Sequence, residues 1–414
     1  MRYASITDRL ADLGSQKWAV HFAARARIAA GEPIIELTIG EPDIAPDPRL
    51  AEQCARAIAA GRTRYSDGRG EPALLAALAE KYTRRTGRIV KTDNVLCFPG
   101  TQTALFAVML SLAEAGDDVL VGDPLYATYE GVIRSTGAAK VTVPLRADNG
   151  FRMRAEDLEA AVTPRSRVLL LNTPHNPTGA VLSREDIAAI GAVCRRHDLW
   201  IVSDEVYEDL IFDGRFASPF DEPDLAERTV VVSSISKSHA APGFRSGWAV
   251  GPAALCTRML PVAETMLFGN QPFIADMTAF ALTHAFDTAA RMREAYARRA
   301  RMIADALREA PGIRPIPPGA GMFILLDVAG TGLTGEDFAW GLLDEAKVAV
   351  MPGPSFGDQA RNFVRLSLTV PDEDIAEACR RIATFAESLR AGRWRNTIDF
   401  AKTARTRSLL PGAA

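Results

Sequence analysis

Short apolar runs of strand length alternate with longer stretches of helical periodicity through most of the chain. Such alternation predicts a parallel sheet flanked by helices, since each parallel strand needs a crossover that covers a face of the sheet. The predicted strands are Val95 to Phe98, Val119 to Gly122, Val141 to Leu145, Val168 to Leu171, Trp200 to Ser203, Val230 to Ser233 and Trp248 to Gly251. Between them, Thr103 to Ala113 predicts a helix, with Leu105, Val108, Met109 and Leu112 on one face at i, i+3, i+4, i+7 spacing. Another helix begins after Ser183, whose hydroxyl suits an N-cap and whose Asp186 stands three residues on, ahead of Ile187 and Ile190.

The pattern then changes. A helical region rich in Ala, Arg and Met runs from about Ala279 to Ala310 and is followed by PGIRPIPPGAG, a break dense in proline and glycine. Beyond it, a strand at Met322 to Leu326, a helix around Glu336 to Ala346, a strand at Phe363 to Leu368 and a closing helix from Asp372 read as a smaller α+β unit. The expected organisation is therefore a large α/β domain over 46–310 and a small domain over 311–392. Residues 1–45 are expected to pack with the small domain, and 393–414 to form a basic tail. There is no internal repeat and no low-complexity tract.

Composition narrows the function more than the fold. With 414 residues and 48% hydrophobic content, the chain has apolar material for one large core and a smaller one. Its formal net charge of −3 creates no field that would draw nucleic acid or an anionic membrane, so its ligands should be small. MRYASITDRLADLGSQ lacks the basic start and apolar core of a secretory signal, and no apolar run reaches the roughly 18 residues of a membrane helix; a cytoplasmic location is the expectation. Cys54, Cys97, Cys194, Cys256 and Cys379 show no C-x-x-C spacing, and an odd number does not suit a disulfide framework. They read as reduced and mostly buried, with no metal role.

In parallel α/β sheets ligands bind beyond the carboxyl ends of the strands, and those positions carry the polar chemistry. PGTQTAL follows the first strand: Gly100 allows a tight turn, and the helix N–H groups that come next suit an anion such as phosphate, although any strand-to-helix turn can hold a glycine. NTPHNPTG follows Leu171, and its two prolines stiffen the loop that holds Asn172 and Asn176; either X-Pro bond is a candidate cis peptide. Asp204 ends a strand buried on both faces, where a carboxylate needs a cation: a protein Arg or Lys, or a protonated ring nitrogen on a cofactor. Tyr207 is expected beside it on a short helical turn. In TVVVSSISKSHAAPGFRSGW, Lys237 directly follows a strand among small residues, so it is either a solvated loop residue or a desolvated amine able to form a Schiff base. Arg245 and Ser234 offer a guanidinium fork and a hydroxyl to a phosphate. Taken together, a phosphate cradle, a carboxylate, a phenol, an amide, a lysine and an arginine describe one ligand, pyridoxal 5′-phosphate.

With IGEPD at Ile39 to Asp43, RYSDGRGEPAL from Arg64, DPLYATY from Asp123, SDEVYEDL and VRLSL from Val364 added to these motifs, the sequence resembles the class I/II aminotransferases. These are fold type I pyridoxal-phosphate enzymes, and the resemblance covers nearly the whole chain. It implies that Lys237 carries the cofactor as a Schiff base and that Asp204 pairs with the pyridine nitrogen. It implies that Tyr207 and Asn176 bond the ring oxygen, and that Gly100, Thr101, Gln102, Ser234 and Arg245 hold the phosphate. By the same resemblance Tyr126 stacks on the ring, and Tyr65 reaches the phosphate of a neighbouring subunit in a homodimer with shared active sites. Arg365 would take the substrate α-carboxylate, with Gly40 and Asn176 nearby. Ser238, His239 and Ala240 depart from the usual aromatic and Thr after the lysine, and Gly70 to Leu75 lacks the family's arginine.

Within the family, the segments around SKSHA, Asp148 to Arg152, Val162 to Arg167 and Trp248 to Cys256 look most like arginine–pyruvate aminotransferases. Glu41, Asp43 and Asp67 are candidate partners for a guanidinium. The expected activity is ping-pong transfer of an amino group from an L-amino acid, arginine or another basic one, to a 2-oxo acid such as pyruvate. The same residues would serve a β-eliminating carbon–sulfur lyase. A cofactor-sensing DNA-binding regulator would need an extra N-terminal helix-turn-helix, and a nicotinamide enzyme would need G-x-G-x-x-G after the first strand; neither is present.

Overall fold

The structure is a computed structural model, and it describes residues 1–11, 13 and 17–392. The expected basic tail, 393–414, lies outside the described residues. Strand β1 (Ile35–Leu37) comes first and belongs to a five-stranded sheet. The next seven, β2 (Val95–Phe98), β3 (Asp118–Asp123), β4 (Ala139–Pro144), β5 (Ser166–Asn172), β6 (Trp200–Asp204), β7 (Thr229–Ser234) and β8 (Gly247–Val250), form a seven-stranded sheet in the order β2-β8-β7-β6-β5-β3-β4. Strands β9 (Arg314–Ile316), β10 (Phe323–Asp327), β11 (Val348–Pro352) and β12 (Phe363–Ser367) complete the smaller sheet, ordered β1-β11-β12-β10-β9.

All seven strands predicted between Val95 and Gly251 are present, each shifted by at most a few residues. Residues Val230, Val231 and Val232 have no exposure at all, which is why this strand reads as an unbroken apolar run: helices cover both faces. The sheet is parallel except at β8, which runs antiparallel to β7 on one side and to β2 on the other. The Thr101–Leu112 helix follows β2, and its Ala104, Leu105, Ala107, Val108 and Met109 enter the core with Val119, Val121, Val168 and Val202. After Ser183 comes the Arg184–Arg196 helix with the expected reciprocal cap: Ser183 Oγ accepts from the Asp186 N–H at 3.1 Å, and Asp186 accepts from the Ser183 N–H at 2.9 Å.

Two helices replace the single helical region expected from about Ala279 to Ala310, Pro272–Thr283 and Thr288–Ala306. The second opens where the Asp287 carbonyl accepts from the Arg291 N–H at 2.9 Å, a start that lies hidden in an Ala- and Arg-rich stretch of high helical propensity. The helix expected over Glu336 to Ala346 is an α-helix only over Gly335–Gly341 and continues as one π-helical turn, Leu342–Ala346. The chain divides into two compact units. One comprises Met1–Ala11, Gly40–Arg298 and Pro318–Phe323 and contains the seven-stranded sheet; the other comprises the described residues of 12–39, 299–317 and 324–392. All five cysteines are buried and free. Among the described residues no helix is long and apolar enough to cross a membrane.

Candidate active site

The reversed strand β8 shapes the site. Gly247, its first residue, is in register with Phe98 at the carboxyl end of β2 and with Ser234 at the carboxyl end of β7. Arg245 therefore reaches the same sheet edge as the Gly100 turn and Ser234, although it precedes its strand. The fit is close. Gly100 has φ +90°, and a Cβ there would stand 2.3 Å from Arg245 Nη2. At Gly247 a Cβ would stand 2.5 Å from the Gly100 carbonyl carbon and 2.7 Å from the Thr101 nitrogen, so only glycine lets β8 approach this turn. The Arg245 guanidinium donates to the Pro242 carbonyl at 2.9 Å and to the Pro99 carbonyl at 3.4 Å.

Several donors collect here without a mutual acceptor. No side chain caps the Thr101–Leu112 helix, so its first N–H groups are open to a ligand. Thr101 Oγ1 is buried and has no hydrogen-bond partner. Ser234 Oγ accepts from the Ser236 N–H at 3.3 Å, which leaves its own proton to donate. Gln102 accepts from Thr128 Oγ1 at 3.1 Å and sits exposed at the rim. A helix N-terminus, an orphaned hydroxyl and a guanidinium suit a phosphate group.

Asp204 closes β6 in register with Asn172 at the end of β5. Tyr129, a phenol that the sequence reading does not single out, meets this carboxylate directly. The Tyr129 hydroxyl donates to Asp204 Oδ2 at 2.6 Å, with both residues buried, and the Val206 N–H donates to Oδ1 at 3.3 Å. Burial pushes the Asp204 carboxyl up to about 6, against the opposing effects of Tyr129, the Val206 N–H and the Lys237 charge. The Tyr207 hydroxyl accepts from Asn176 Nδ2 at 3.4 Å. Tyr129 opens the Tyr129–Thr136 helix after β3, and its ring lies edge-on to Tyr126, centroids 5.5 Å apart. The strand-end rule applied to DPLYATY would have found it together with Tyr126.

Asn172 ties this edge together, donating to the Asp204 carbonyl at 3.1 Å and accepting from the Asn176 N–H at 2.8 Å. Both prolines of NTPHNPTG follow cis peptide bonds, as does Pro124. Lys237 lies in the Ile235–Ser238 helical turn directly after β7, and its Nζ donates to the Gly40 carbonyl at 2.8 Å. The Phe323 ring fills the place where a Cβ of Gly40 would stand. Next to Asp204, the fully buried Glu205 accepts from Arg85 at 2.8 Å and from Ser218 Oγ, and burial raises its carboxyl to about 7 against the Arg85 charge.

Two expected residues are not joined to this group by any of these bonds. Tyr65 is 90% exposed and packs edge-on against Phe268, centroids 5.9 Å apart. Arg365 belongs to β12 in the second unit. It is 2% exposed there, donates to the Thr38 carbonyl at 2.7 Å and lies 4.6 Å from the Phe356 ring centroid.

Comparison with known proteins agrees with this geometry. The profile of the family described as "Aminotransferase class I and II" matches residues 32–382. The chain is 44% identical over 389 residues to an arginine–pyruvate transaminase, AruH, of Pseudomonas aeruginosa, covering 94% of this chain and 99% of that protein. It is 36% identical over 402 residues to an aspartate/prephenate aminotransferase of Cereibacter sphaeroides, covering 93% and 100%. Among solved structures, the aspartate aminotransferase of Rhizobium meliloti superposes with a TM-score of 0.89 at 31% identity, covering 94% of this chain and 99% of that one. The Thermus thermophilus aspartate aminotransferase with maleate superposes at 0.86 with 32% identity, covering 93% and 100%. The chain belongs to the class I and II aminotransferase family and is an enzyme of the transaminase class.

Proposed function

We propose that this enzyme binds pyridoxal 5′-phosphate on the carboxyl edge of the seven-stranded sheet and transfers the amino group of an L-amino acid, arginine or another basic one, to pyruvate or a similar 2-oxo acid. The observation that carries the reading is the meeting of Asp204, Lys237 and the Gly100–Arg245 anion cradle at neighbouring strand ends. Pyridoxal 5′-phosphate, when bound, supplies an aldehyde for the amino group and a ring that accepts the electrons left as the α-proton departs.

The chain's own residues supply the rest. Gly100, Thr101, Gln102, Ser234 and Arg245 would hold the phosphate, and Tyr126 would pack against the ring. The Asp204 carboxylate would keep a proton on the ring nitrogen, and Tyr207 and Asn176 would bond the ring oxygen. Lys237 Nζ would hold the aldehyde, and its free amine would serve as the base for the substrate α-proton. Arg365 binds the substrate carboxylate as a bidentate partner, assisted by Gly40 and Asn176. Tyr65, exposed in the single chain, completes the phosphate site of a second copy in a homodimer. The two half-reactions alternate in ping-pong fashion, and we place the enzyme in the cytoplasm.

Arginine as donor is supported by the 44% identity to an arginine–pyruvate transaminase along nearly the full length of both chains. The β-eliminating lyase is not favoured, since the similar proteins described above are transaminases. The test is a screen of arginine, lysine, aspartate, alanine and aromatic donors against pyruvate and 2-oxoglutarate, with Lys237→Ala as control. The variant should lose both turnover and the yellow, borohydride-reducible chromophore. Turnover retained by Lys237→Ala would reject the cofactor site, and ammonia release without an oxo acid would reject transfer.

A further inference from the structure

The segment between Lys237 and Arg245 has to turn back from β7 into β8 while sending both side chains to one edge. It does so at a conformational cost: Ala240 and Arg245, neither of them glycine, adopt φ of 51° and 53°. A left-handed residue with a Cβ is disfavoured by about 1–2 kcal/mol, so the segment needs contacts that hold it. The Pro272–Thr283 helix provides them at both ends. The Thr278 and Ser246 hydroxyls share a buried hydrogen bond at 2.7 Å just past Arg245, and His239 Nε2 lies 3.3 Å from the Ala281 carbonyl just past Lys237.

The hydrogen bonds fix the state of His239. The Ala281 carbonyl has no proton, so Nε2 must donate; in a neutral ring Nδ1 is then an acceptor, and Ser238 Oγ, 2.8 Å away, donates to it. Burial holds the imidazole down to about 4, so the ring stays neutral over the range in which an aminotransferase works. Ala281 is within the last four residues of its helix, whose carbonyls have no intrahelical partner, so His239 also caps that end. Its ring packs edge-on against Phe286, centroids 5.5 Å apart.

We propose that His239 is a positioning residue for Lys237: by bridging Ser238 and the Ala281 carbonyl, it latches the strained Lys237–Arg245 segment to the Pro272–Thr283 helix and so sets where the lysine amine meets the cofactor. The proposal rests on the pyridoxal-phosphate reading above. Sites of this kind tolerate displacements of only about 0.5 Å, so a loosened latch should register in cofactor binding.

The experiment compares His239→Phe, which keeps a ring against Phe286 and removes both hydrogen bonds, with His239→Gln, whose Nε2 restores a donor to Ala281. For each, the dissociation constant of pyridoxal 5′-phosphate from the apoprotein, the pH at which the bound chromophore changes colour, and kcat and KM are measured. His239→Phe should weaken cofactor binding about 5- to 100-fold, the loss of a buried hydrogen bond that leaves a carbonyl bare. It should also move the colour-change pH and lower kcat more than it raises KM; His239→Gln should recover most of each. Values for His239→Phe within about twofold of wild type would overturn the proposal, as would a His239→Gln variant no better than His239→Phe. If His239→Phe does not fold, His239→Gln is set against His239→Asn, whose amide reaches only the Ser238 end; equal cofactor affinity in those two would also overturn it. Failure of the cofactor reading is seen separately, in the unmutated protein, as absence of bound pyridoxal phosphate.

Discussion

The bond from Tyr129 to Asp204 should set the charge available to the cofactor ring, and Tyr129→Phe removes it with little change in volume. Both groups are buried, and the 2.6 Å bond is made to the charged form of the carboxyl, so its loss disfavours ionisation. Hydrogen bonds to charged groups contribute about 1.5–3 kcal/mol, roughly one to two units on a carboxyl pKa. Asp204 already stands at about 6. In the variant it should therefore titrate between about 7 and 8, and a carboxyl that is largely ionised at neutral pH should become half or more protonated. The assay is pyridoxal-phosphate affinity of the apoprotein between pH 5 and 9, followed by the visible chromophore, for wild type, Tyr129→Phe, Asp204→Asn and the double variant. The pH below which affinity falls should rise by roughly one to two units in Tyr129→Phe. In the Asp204→Asn background the tyrosine substitution should have almost no effect, because nothing remains for the phenol to stabilise. An unchanged pH dependence, or an equal loss in both backgrounds, would refute the coupling and leave Tyr129 as packing.

Gly247→Ala should weaken pyridoxal-phosphate binding and destabilise the apoprotein by about 1–3 kcal/mol, because the new Cβ would meet the Gly100 and Thr101 backbone and not a side chain that can move; thermal unfolding with and without cofactor checks both. Glu205, raised by burial to about 7 from an ordinary 4.5, holds its proton more tightly folded than unfolded. Its contribution to stability is therefore fully present below about pH 4.5 and is lost as pH rises towards 7, by about 3 kcal/mol at most. Glu205→Gln lacks this dependence, so its melting temperature relative to wild type should improve from pH 5 to pH 8; a relative decline would mean that the Arg85 pair outweighs burial.

What the sequence made legible was whatever has a local cause. The apolar runs mark the seven strands because each is covered on both faces, and the Ser183–Asp186 cap is written in four consecutive residues. Asp204, Lys237 and Asn176 stand out in the sequence as candidates because strand ends are where a parallel sheet binds its ligands. Features with a distant cause were not. Strands β1 and β9 have three residues each, too few for an alternation to show, and they exist because β11 and β10 pair with them. Tyr129 meets Asp204 from the helix after β3, and a bond between residues so far apart in the chain has no local signature. His239 stood out as a departure from the family pattern, but its partner, Ala281, is a backbone carbonyl on another helix and has no sequence signature.

Strand direction belongs to the same class, and it matters most for the chemistry. Periodicity locates β8 but is blind to its polarity. Had β8 run parallel to β7, Arg245, just before it, would lie at the opposite edge of the sheet from Ser234 and Gly100, and the cradle would lose its guanidinium. One clue was available in the content of the connection and not in its length: Ile235 to Ser246 holds only a four-residue helical turn and a short 3-10 turn, whereas a parallel return usually runs through a full helix that covers the sheet. The same connection carries the left-handed residues Ala240 and Arg245, each at a point where the chain changes direction between its helical turn and β8. The strained residues and the placing of Arg245 beside Gly100 thus belong to one connection, and contacts from the Pro272–Thr283 helix hold it at both ends.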